Sequence, residues 1–306
     1  MNRLEIRDLP KLSRRRTDAH KGDFGHVFLL AGSRGMVGAG CLAAWGALRG
    51  GAGLVTVGCP ESSYPIFAAK LTEAMGIPLP ETPGGGLSRQ GLDRIVEFAY
   101  KCKVVALGPG LGRDPETAEL VRELASRLDH VLILDADAID AFAGRADRFV
   151  ERKGPTLITP HAGEMGKLIG SSAAQVQEDR ERSAQEFARR FEVFAVLLKG
   201  AGTIVTDGNR LFENRTGNPG MATGGSGDVL TGVVAALVAQ RLDHFEAGCL
   251  GAYLHGLAGD MAARKYGQIS MTAGDIVSCL PGAFESYRSG MIPRRNSARG
   301  SSRQEG

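Results

Sequence analysis

The stretch "FGHVFLLAGSRGMVGAGCLAAWGALRGGAGLVTVGCP", Phe24–Pro60, decides the fold class. Val27–Ala31 is continuously apolar, the pattern of a strand buried on both faces. "SRGMVGAG" turns the chain, and "AGCLAAWGALRGG" reads as a small-residue helix packed closely on a sheet. "GLVTVGCP" is the next strand. Together they form a βαβ unit, for which a right-handed crossover is expected.

The pattern repeats along the chain. "KVVALGPGLG" is a strand and a Gly-rich loop, and "DPETAELVRELASRL" has an Asp-Pro helix start with Leu/Val spacings of three and four. "VLILDADAID" is a strand ending in acids, "TLITPHAGE" a short strand ending in a turn, and "VFAVLLKG" a buried strand. "GTIVTDGNRLFEN" is a hairpin with Asp-Gly-Asn at its tip. Two helices follow near Val229–Arg241 and Glu246–Tyr266. "SSAAQVQEDRERSAQ" reads as one charged helix and Pro80–Gly91 as a surface loop. These elements predict an α/β/α sandwich with a mostly parallel central sheet, and no linker divides it.

Composition narrows the function. Glycine supplies 43 of 306 residues, about twice ordinary usage and without a collagen period, so many tight turns or close ligand approaches are expected. The formal charge of +3 equals that of Pro293–Gly306, with four Arg and one Glu, which leaves a neutral body and no nucleic-acid groove. The five scattered cysteines form neither a disulfide framework nor a zinc motif. No segment is apolar enough for a membrane span or a signal peptide, which makes a reducing cytoplasm the expectation.

Ligands of open α/β sheets bind at the carboxyl ends of the strands. In "AGSRGMVGAG", Ala31–Gly40, Ser33 is read as a helix cap or a ligand contact, and the glycines as a phosphate approach or a tight turn. No GK[ST] follows, so this is not a P-loop. In "GPGLGRD", Gly108–Asp114, Gly110 and Gly112 either present N–H groups to an anion or only turn the chain. In "LITPHAGEM", Leu157–Met165, His161 is read as a ligand-rim residue or a plain structural hydrogen bonder, and Glu164 as a helix cap or a residue that places a metal through water. In "LDADAID", Asp135 and Asp137 occupy alternate strand positions on one side, where they hold a cation's hydration shell or cap the next helix. In "LLKGAGTIV", Leu197–Val205, Lys199 and Thr203 are read as nucleotide-phosphate contacts, with an ordinary surface lysine as the alternative.

"GNPGMATGGSGDVLTG", Gly217–Gly232, carries the chemistry. Gly224, Gly225, Ser226 and Gly227 precede a helix that starts near Asp228. Unshielded N–H groups at a helix start make an anion hole, which suits a phosphoryl group in transit. Asp228 beside it would take the proton of the attacking hydroxyl; its alternative is an N-cap.

This layout resembles the ribokinase-like superfamily. The six motifs, in order from about Lys21 to Asp260 and over roughly four fifths of the chain, look like its ADP-dependent NAD(P)H-hydrate dehydratase family. Sugar kinases of the superfamily usually carry a TGAGD-like motif in place of GGSGD. The resemblance implies a three-layer α/β/α domain over residues 21–290, an N-terminal extension over 1–20 and a disordered basic tail over 291–306. It implies cofactor repair: removal of water from the S epimer of NADHX or NADPHX, coupled to conversion of ADP to AMP and phosphate, with Mg2+ screening charge. By motif, Ala39, Gly110 or Gly112, His161 and Asp228 match substrate positions. Lys199, Gly200, Ala201, Gly202, Thr203, Gly224, Gly225, Ser226 and Gly227 match the nucleotide side. A homotetramer and a separate NAD(P)HX epimerase are implied as well. The rival is a small-molecule kinase of the same fold, for a vitamin precursor or a sugar, which phosphorylates a hydroxyl and stops. A non-catalytic nucleotide sensor is the third reading, and it has no need of Asp228.

Overall fold

The computed structural model describes residues 2–12, 14–191 and 194–290, so the tail over 291–306 lies outside the described residues. The first half of the chain runs β1 (Asn2–Leu4), β2 (His26–Leu30), α1 (Val37–Arg49), β3 (Leu54–Pro60), α2 (Tyr64–Lys70), β4 (Met75–Leu79), α3 (Leu92–Ala99), β5 (Val104–Leu107) and α4 (Pro115–Arg127). It continues through β6 (Val131–Leu134), α5 (Asp137–Asp140), β7 (Thr156–Ile158), α6 (Ala162–Ile169), α7 (Ala173–Glu178), α8 (Arg180–Arg190) and β8 (Phe194–Leu198). The hairpin β9 (Thr203–Thr206) and β10 (Arg210–Asn214) then leads into α9 (Ser226–Ala239), α10 (His244–Tyr266) and α11 (Ala273–Arg288).

One ten-stranded sheet has the order β1-β10-β9-β8-β7-β6-β5-β2-β3-β4. From β8 to β4 every neighbouring pair is parallel; only the pairings of β9 with β8 and β10 are antiparallel. Strand residues alternate between two apolar layers. Val27, Leu29, Val104, Ala106, Ile133 and Leu197 face the helices α1, α9, α10 and α11, while Phe28, Leu30, Val105, Leu107, Leu134 and Leu198 face α3 to α8. Burial of both faces explains the uninterrupted apolar runs and gives the expected three-layer sandwich.

The small-residue helix α1 packs inside the molecule on α9. A Cβ added to Gly232 would lie 1.9 Å from the Ala43 carbonyl oxygen, and one on Gly46 2.3 Å from that of Val229. Only bare backbone permits that approach, which fixes the height of α9 above the sheet.

The extension over 1–20 contributes β1, parallel to β10 at the sheet edge. β4 carries Gly76 and Pro78; proline is tolerated there because β4 is the other edge. Two readings need correction. The charged helix is two helices, broken at Asp179 (φ −142°, ψ 75°), whose carboxylate caps α8 by accepting from Arg182 N. The loop Pro80–Gly91 is half-buried: Leu87 O accepts from Thr117 Oγ1, Ser88 donates to Glu116, and Gly85 O accepts from Arg34 N. Those bonds satisfy its polar groups and bring it beside the loop after β2. Among the described residues no helix is long and apolar enough to cross a membrane.

Gly232→Ala is therefore expected to lower stability by about 1–3 kcal/mol, the usual cost of overpacking a tight contact. It should also depress turnover, although Gly232 is remote from any ligand. Denaturant midpoint and kcat measured together test this; an unchanged midpoint would show that α9 has room to shift.

Candidate active site

The chain leaves β2 toward β3 and β4 on one side, and from β5 fills the other side, so the strand order reverses between β2 and β5. That switch point opens a crevice at the strand ends. Two loops meet there. Gly32 N donates to Pro109 O at 2.8 Å, and Ser33, buried, donates from Oγ to Gly110 O at 2.9 Å. Ser33 thus ties the loops together and caps no helix. Gly110 has φ 65°, and a Cβ there would stand 3.0 Å from that of Ala39. Ala39 and Gly110 therefore share one wall, whereas Gly112 N is bound to Asp137 Oδ2 at 2.8 Å.

Asp135 is 1% exposed and accepts three hydrogen bonds: Lys199 Nζ at 2.6 Å and Thr159 Oγ1 at 2.7 Å on Oδ1, and Thr231 Oγ1 at 2.7 Å on Oδ2. β6, the end of β7, the end of β8 and α9 are thereby joined at one carboxylate. The expected pairing of Asp135 with Asp137 on one strand face does not occur. The strand ends at Leu134, Ala136 turns the chain at φ 48°, and Asp137 opens α5.

Lys199 is no surface lysine. Burial opposes its charge, but Asp135, Glu164 at 3.8 Å and Asp228 outweigh that and hold its pKa above the ordinary value. Glu164, buried, accepts from His161 N at 2.8 Å, while His161 Nδ1 accepts from Gly163 N and Glu164 N. This capping box starts α6 and leaves the ring's proton on Nε2.

Helix α9 begins at Ser226 after Gly225 (φ 91°), so Asp228 is its third residue and not its N-cap. The first-turn amides have no intrahelical acceptor. A Cβ on Gly227 would lie 3.5 Å from Lys199 Nζ, which places this helix end directly beside the lysine. The half-buried Asp228 takes no hydrogen bond from a described residue. Burial, then the charge of Asp135, raises its pKa to about 7 against the pull of Lys199, with Asp137 adding to the rise. A carboxylate so tuned can carry a proton near neutral pH.

A cavity of about 1160 Å³ lies against this helix end, lined by Lys199–Thr203, Ser226, Gly227 and His161. It exceeds the roughly 300–1,000 Å³ usual for small-molecule sites. Gly224 is exposed and Gly225 packs on Leu42, so neither lines it. His161, matched to the substrate side, borders the cavity with the nucleotide-side residues. Ala39 and Gly110 do not line it. The sequence reading missed the wall Asn214–Thr223 and the floor Ala252, His255 and Gly256. His255 is 6% exposed, and burial lowers its pKa to about 4. Gly217–Thr223 lie within the motif singled out in the sequence but were given no site role, whereas nothing local marks the others; α10 reads only as a buried helix.

Among the described residues no three acidic, His or Cys groups form a metal cage. Mg2+ held by nucleotide phosphates needs only one or two carboxylates, often through water. Asp135 is filled by its three donors, which leaves Glu164 as the better placed of the two candidates.

Comparison with known proteins identifies the family and the fold. A family description, NAD(P)H-hydrate dehydratase, matches residues 27–282. The chain is 49% identical over 273 residues to the bifunctional NAD(P)H-hydrate repair enzyme Nnr of Moorella thermoacetica, covering 89% of this chain and 51% of that protein. It spans about half the length of the curated relatives it matches. An ADP/ATP-dependent NAD(P)H-hydrate dehydratase from Bacillus subtilis, co-crystallized with ATP/Mg2+, superposes with TM-score 0.79 at 29% identity over 92% of this chain and 96% of that one. A ribokinase-like superfamily protein from Enterococcus faecalis gives 0.78 at 26% identity over 94% and 96%. The fold is thus ribokinase-like, and with most of its length matched the chain belongs to the NAD(P)H-hydrate dehydratase family.

Proposed function

We propose that this chain repairs hydrated nicotinamide cofactor, converting (6S)-NADHX and (6S)-NADPHX to NADH and NADPH while ADP becomes AMP and phosphate. The observation that carries the reading is Asp228: a carboxylate with no hydrogen-bond partner among the described residues and a pKa near 7, next in α9 to Gly227, which lines the cavity beside Lys199. Nucleotide occupies the cavity along Lys199–Thr203 and Ser226–Gly227, with His161 on its rim, and the hydrate lies on the Ala39 and Gly110 side.

Asp228 takes the proton of the ring hydroxyl as its oxygen attacks the terminal phosphorus of ADP, and AMP departs. The first-turn amides of α9 and Lys199 neutralise the phosphoryl oxygens during transfer. Glu164 would hold Mg2+ through water, and the ion would supply screening of the phosphate charges. The ring nitrogen's lone pair then expels phosphate, and the expelled phosphate takes the proton of the adjacent carbon, which restores the double bond. The relative co-crystallized with ATP/Mg2+ supports an adenine-nucleotide donor.

Turnover of prepared hydrate with ADP and ATP in parallel tests the reading. Recovery of dihydronicotinamide absorbance with one phosphate per turnover is expected; a stable phosphorylated hydrate would make the protein a kinase.

Asp228→Asn should cut kcat by roughly 10²–10⁴-fold, the usual share of a general base. Because wild-type Asp228 must be ionised, kcat should rise with pH through about 7. The same shift fixes the stability sign. A folded pKa above the unfolded value means the native state holds the extra proton, so stability falls as pH rises from about 4 to about 7. Asp228→Asn should therefore melt higher than wild type at pH 8 and converge with it in acid; a pH-independent difference contradicts the assignment.

Asp135→Asn removes one charge that raises the Asp228 pKa and releases Lys199, which lowers it. The rising limb of the pH–rate profile should move to lower pH, and stability should fall by about 3–5 kcal/mol from breaking a buried pair. A limb that stays in place would separate Asp135 from the titration of Asp228.

A further inference from the structure

The segment Lys199–Thr203 borders the cavity, and within it only Thr203 closes on Gly200. Two of its glycines sit at positive φ, Gly200 at 148° and Gly202 at 65°. Such a loop is mobile unless its polar groups are fixed from outside. Three carbonyls are fixed. Thr203 Oγ1 donates to Gly200 O at 2.9 Å. Arg180, the first residue of α8, donates from one guanidinium nitrogen to Leu198 O at 3.0 Å and to Gly202 O at 3.4 Å. Its other terminal nitrogen donates to Gln177 Oε1 at 3.1 Å, and Gln177 borders the cavity. The guanidinium lies directly under Gly200, where a Cβ would meet it at 2.2 Å.

Two features mark Arg180 as more than a surface arginine. It makes no ion pair among the described residues, and its buried Nε has no hydrogen-bond partner. A half-buried guanidinium without a carboxylate leaves its positive charge uncompensated behind the loop, a situation proteins usually avoid. Lys199 N already donates to Pro160 O at 2.8 Å and Gly200 N to Thr203 Oγ1 at 3.3 Å, so with the carbonyls of 198, 200 and 202 engaged the loop meets the cavity with the N–H groups of Ala201 and Gly202, backed by a cation. That is a surface for a ligand rich in hydrogen-bond acceptors.

We infer that Arg180 is a positioning residue for nucleotide binding: its guanidinium clamps the Leu198 and Gly202 carbonyls and so shapes the Lys199–Thr203 loop to receive the acceptor groups of an adenine nucleotide, either its phosphates or its purine nitrogens. This rests on the nucleotide reading proposed above. Arg180 touches neither reacting atom, so it acts on binding and not on the chemical step. Lysine cannot bridge both carbonyls with a planar fork, so it is not a conservative replacement here.

The test is calorimetric titration of wild type, Arg180→Met and Arg180→Lys with ADP, adenosine and pyrophosphate, together with steady-state kinetics. Arg180→Met should weaken ADP about tenfold or more, the scale of hydrogen bonds to a charged group. The nucleotide KM should rise in parallel, with kcat at saturation and the hydrate KM unchanged. Millimolar guanidinium should restore much of the ADP affinity in Arg180→Met, and Arg180→Lys should fall between the two. The adenosine and pyrophosphate titrations show which half of the nucleotide the loop serves. Unchanged ADP affinity in a folded Arg180→Met overturns the inference alone, as does a fall in kcat without a change in nucleotide KM. If Arg180→Met does not fold, Arg180→Lys with the nucleotide affinity of wild type overturns it. Wild-type protein that binds no adenine nucleotide overturns the nucleotide reading itself.

Discussion

The buried carboxylate of Asp135 is the constraint on which the site depends. It accepts from Thr159, Lys199 and Thr231, and so draws the ends of three parallel strands and the first turns of α9 to one point. A lone carboxylate there would be prohibitively costly; with one cationic and two hydroxyl donors it becomes tolerable and geometrically demanding. The same charge acts on Asp228. Its field, added to burial, makes Asp228 hold its proton to about pH 7, while Lys199 restrains the rise. Architecture and acid–base tuning thus share one group, and neither can be altered alone.

Hydrogen bonding sets the lateral position of α9, and glycine sets its height. Gly46 and Gly232 let α1 and α9 approach until side chain would strike carbonyl oxygen. The helix end that presents bare amides is therefore held by contacts that lie one and more turns away, on the face opposite the cavity. This explains the glycine content better than turns alone. Some glycines admit a ligand, others admit a second helix, and Gly108 admits the strand end itself, since a Cβ there would meet Asp135 O at 1.7 Å.

Much of this was readable in the sequence because it is local. Strands buried on both faces announce themselves as unbroken apolar runs, and the Gly-rich segment before Asp228 marks a helix start wherever it folds. What failed was tertiary. The strand β1 has three residues and exists only because β10 offers an edge. Asp135 and Asp137 were placed on one face by strand alternation, but the strand had already ended. The choice between Gly110 and Gly112 could not be made from residues alone; packing against Ala39 distinguishes the first and a bond to Asp137 the second. Arg180 and His255 lie 20 residues before Gly200 and 27 after Asp228 in the chain, and no motif connects them to the site. Their roles come from where α8 and α10 pack, which no local pattern encodes.

A dehydratase built on a fold shared with kinases has a simple physical account under the proposed reaction. The protein has only to place a hydroxyl against a terminal phosphorus, remove one proton and neutralise the oxygens in transit, which is what any kinase of this architecture must do. Elimination follows from the substrate, not from an added catalytic group. A phosphate ester adjacent to an electron-donating ring nitrogen is unstable, whereas the same ester on a sugar or vitamin alcohol persists. The change from kinase to dehydratase therefore needs a change in what the Ala39–Gly110 wall admits, and no second active site. It also accounts for the economy of the centre, where Asp228 is the one carboxylate left without a hydrogen-bonding partner beside an otherwise satisfied cluster. A second dedicated acid or base would be required only if water left directly as hydroxide, and the early transfer of phosphate removes that need.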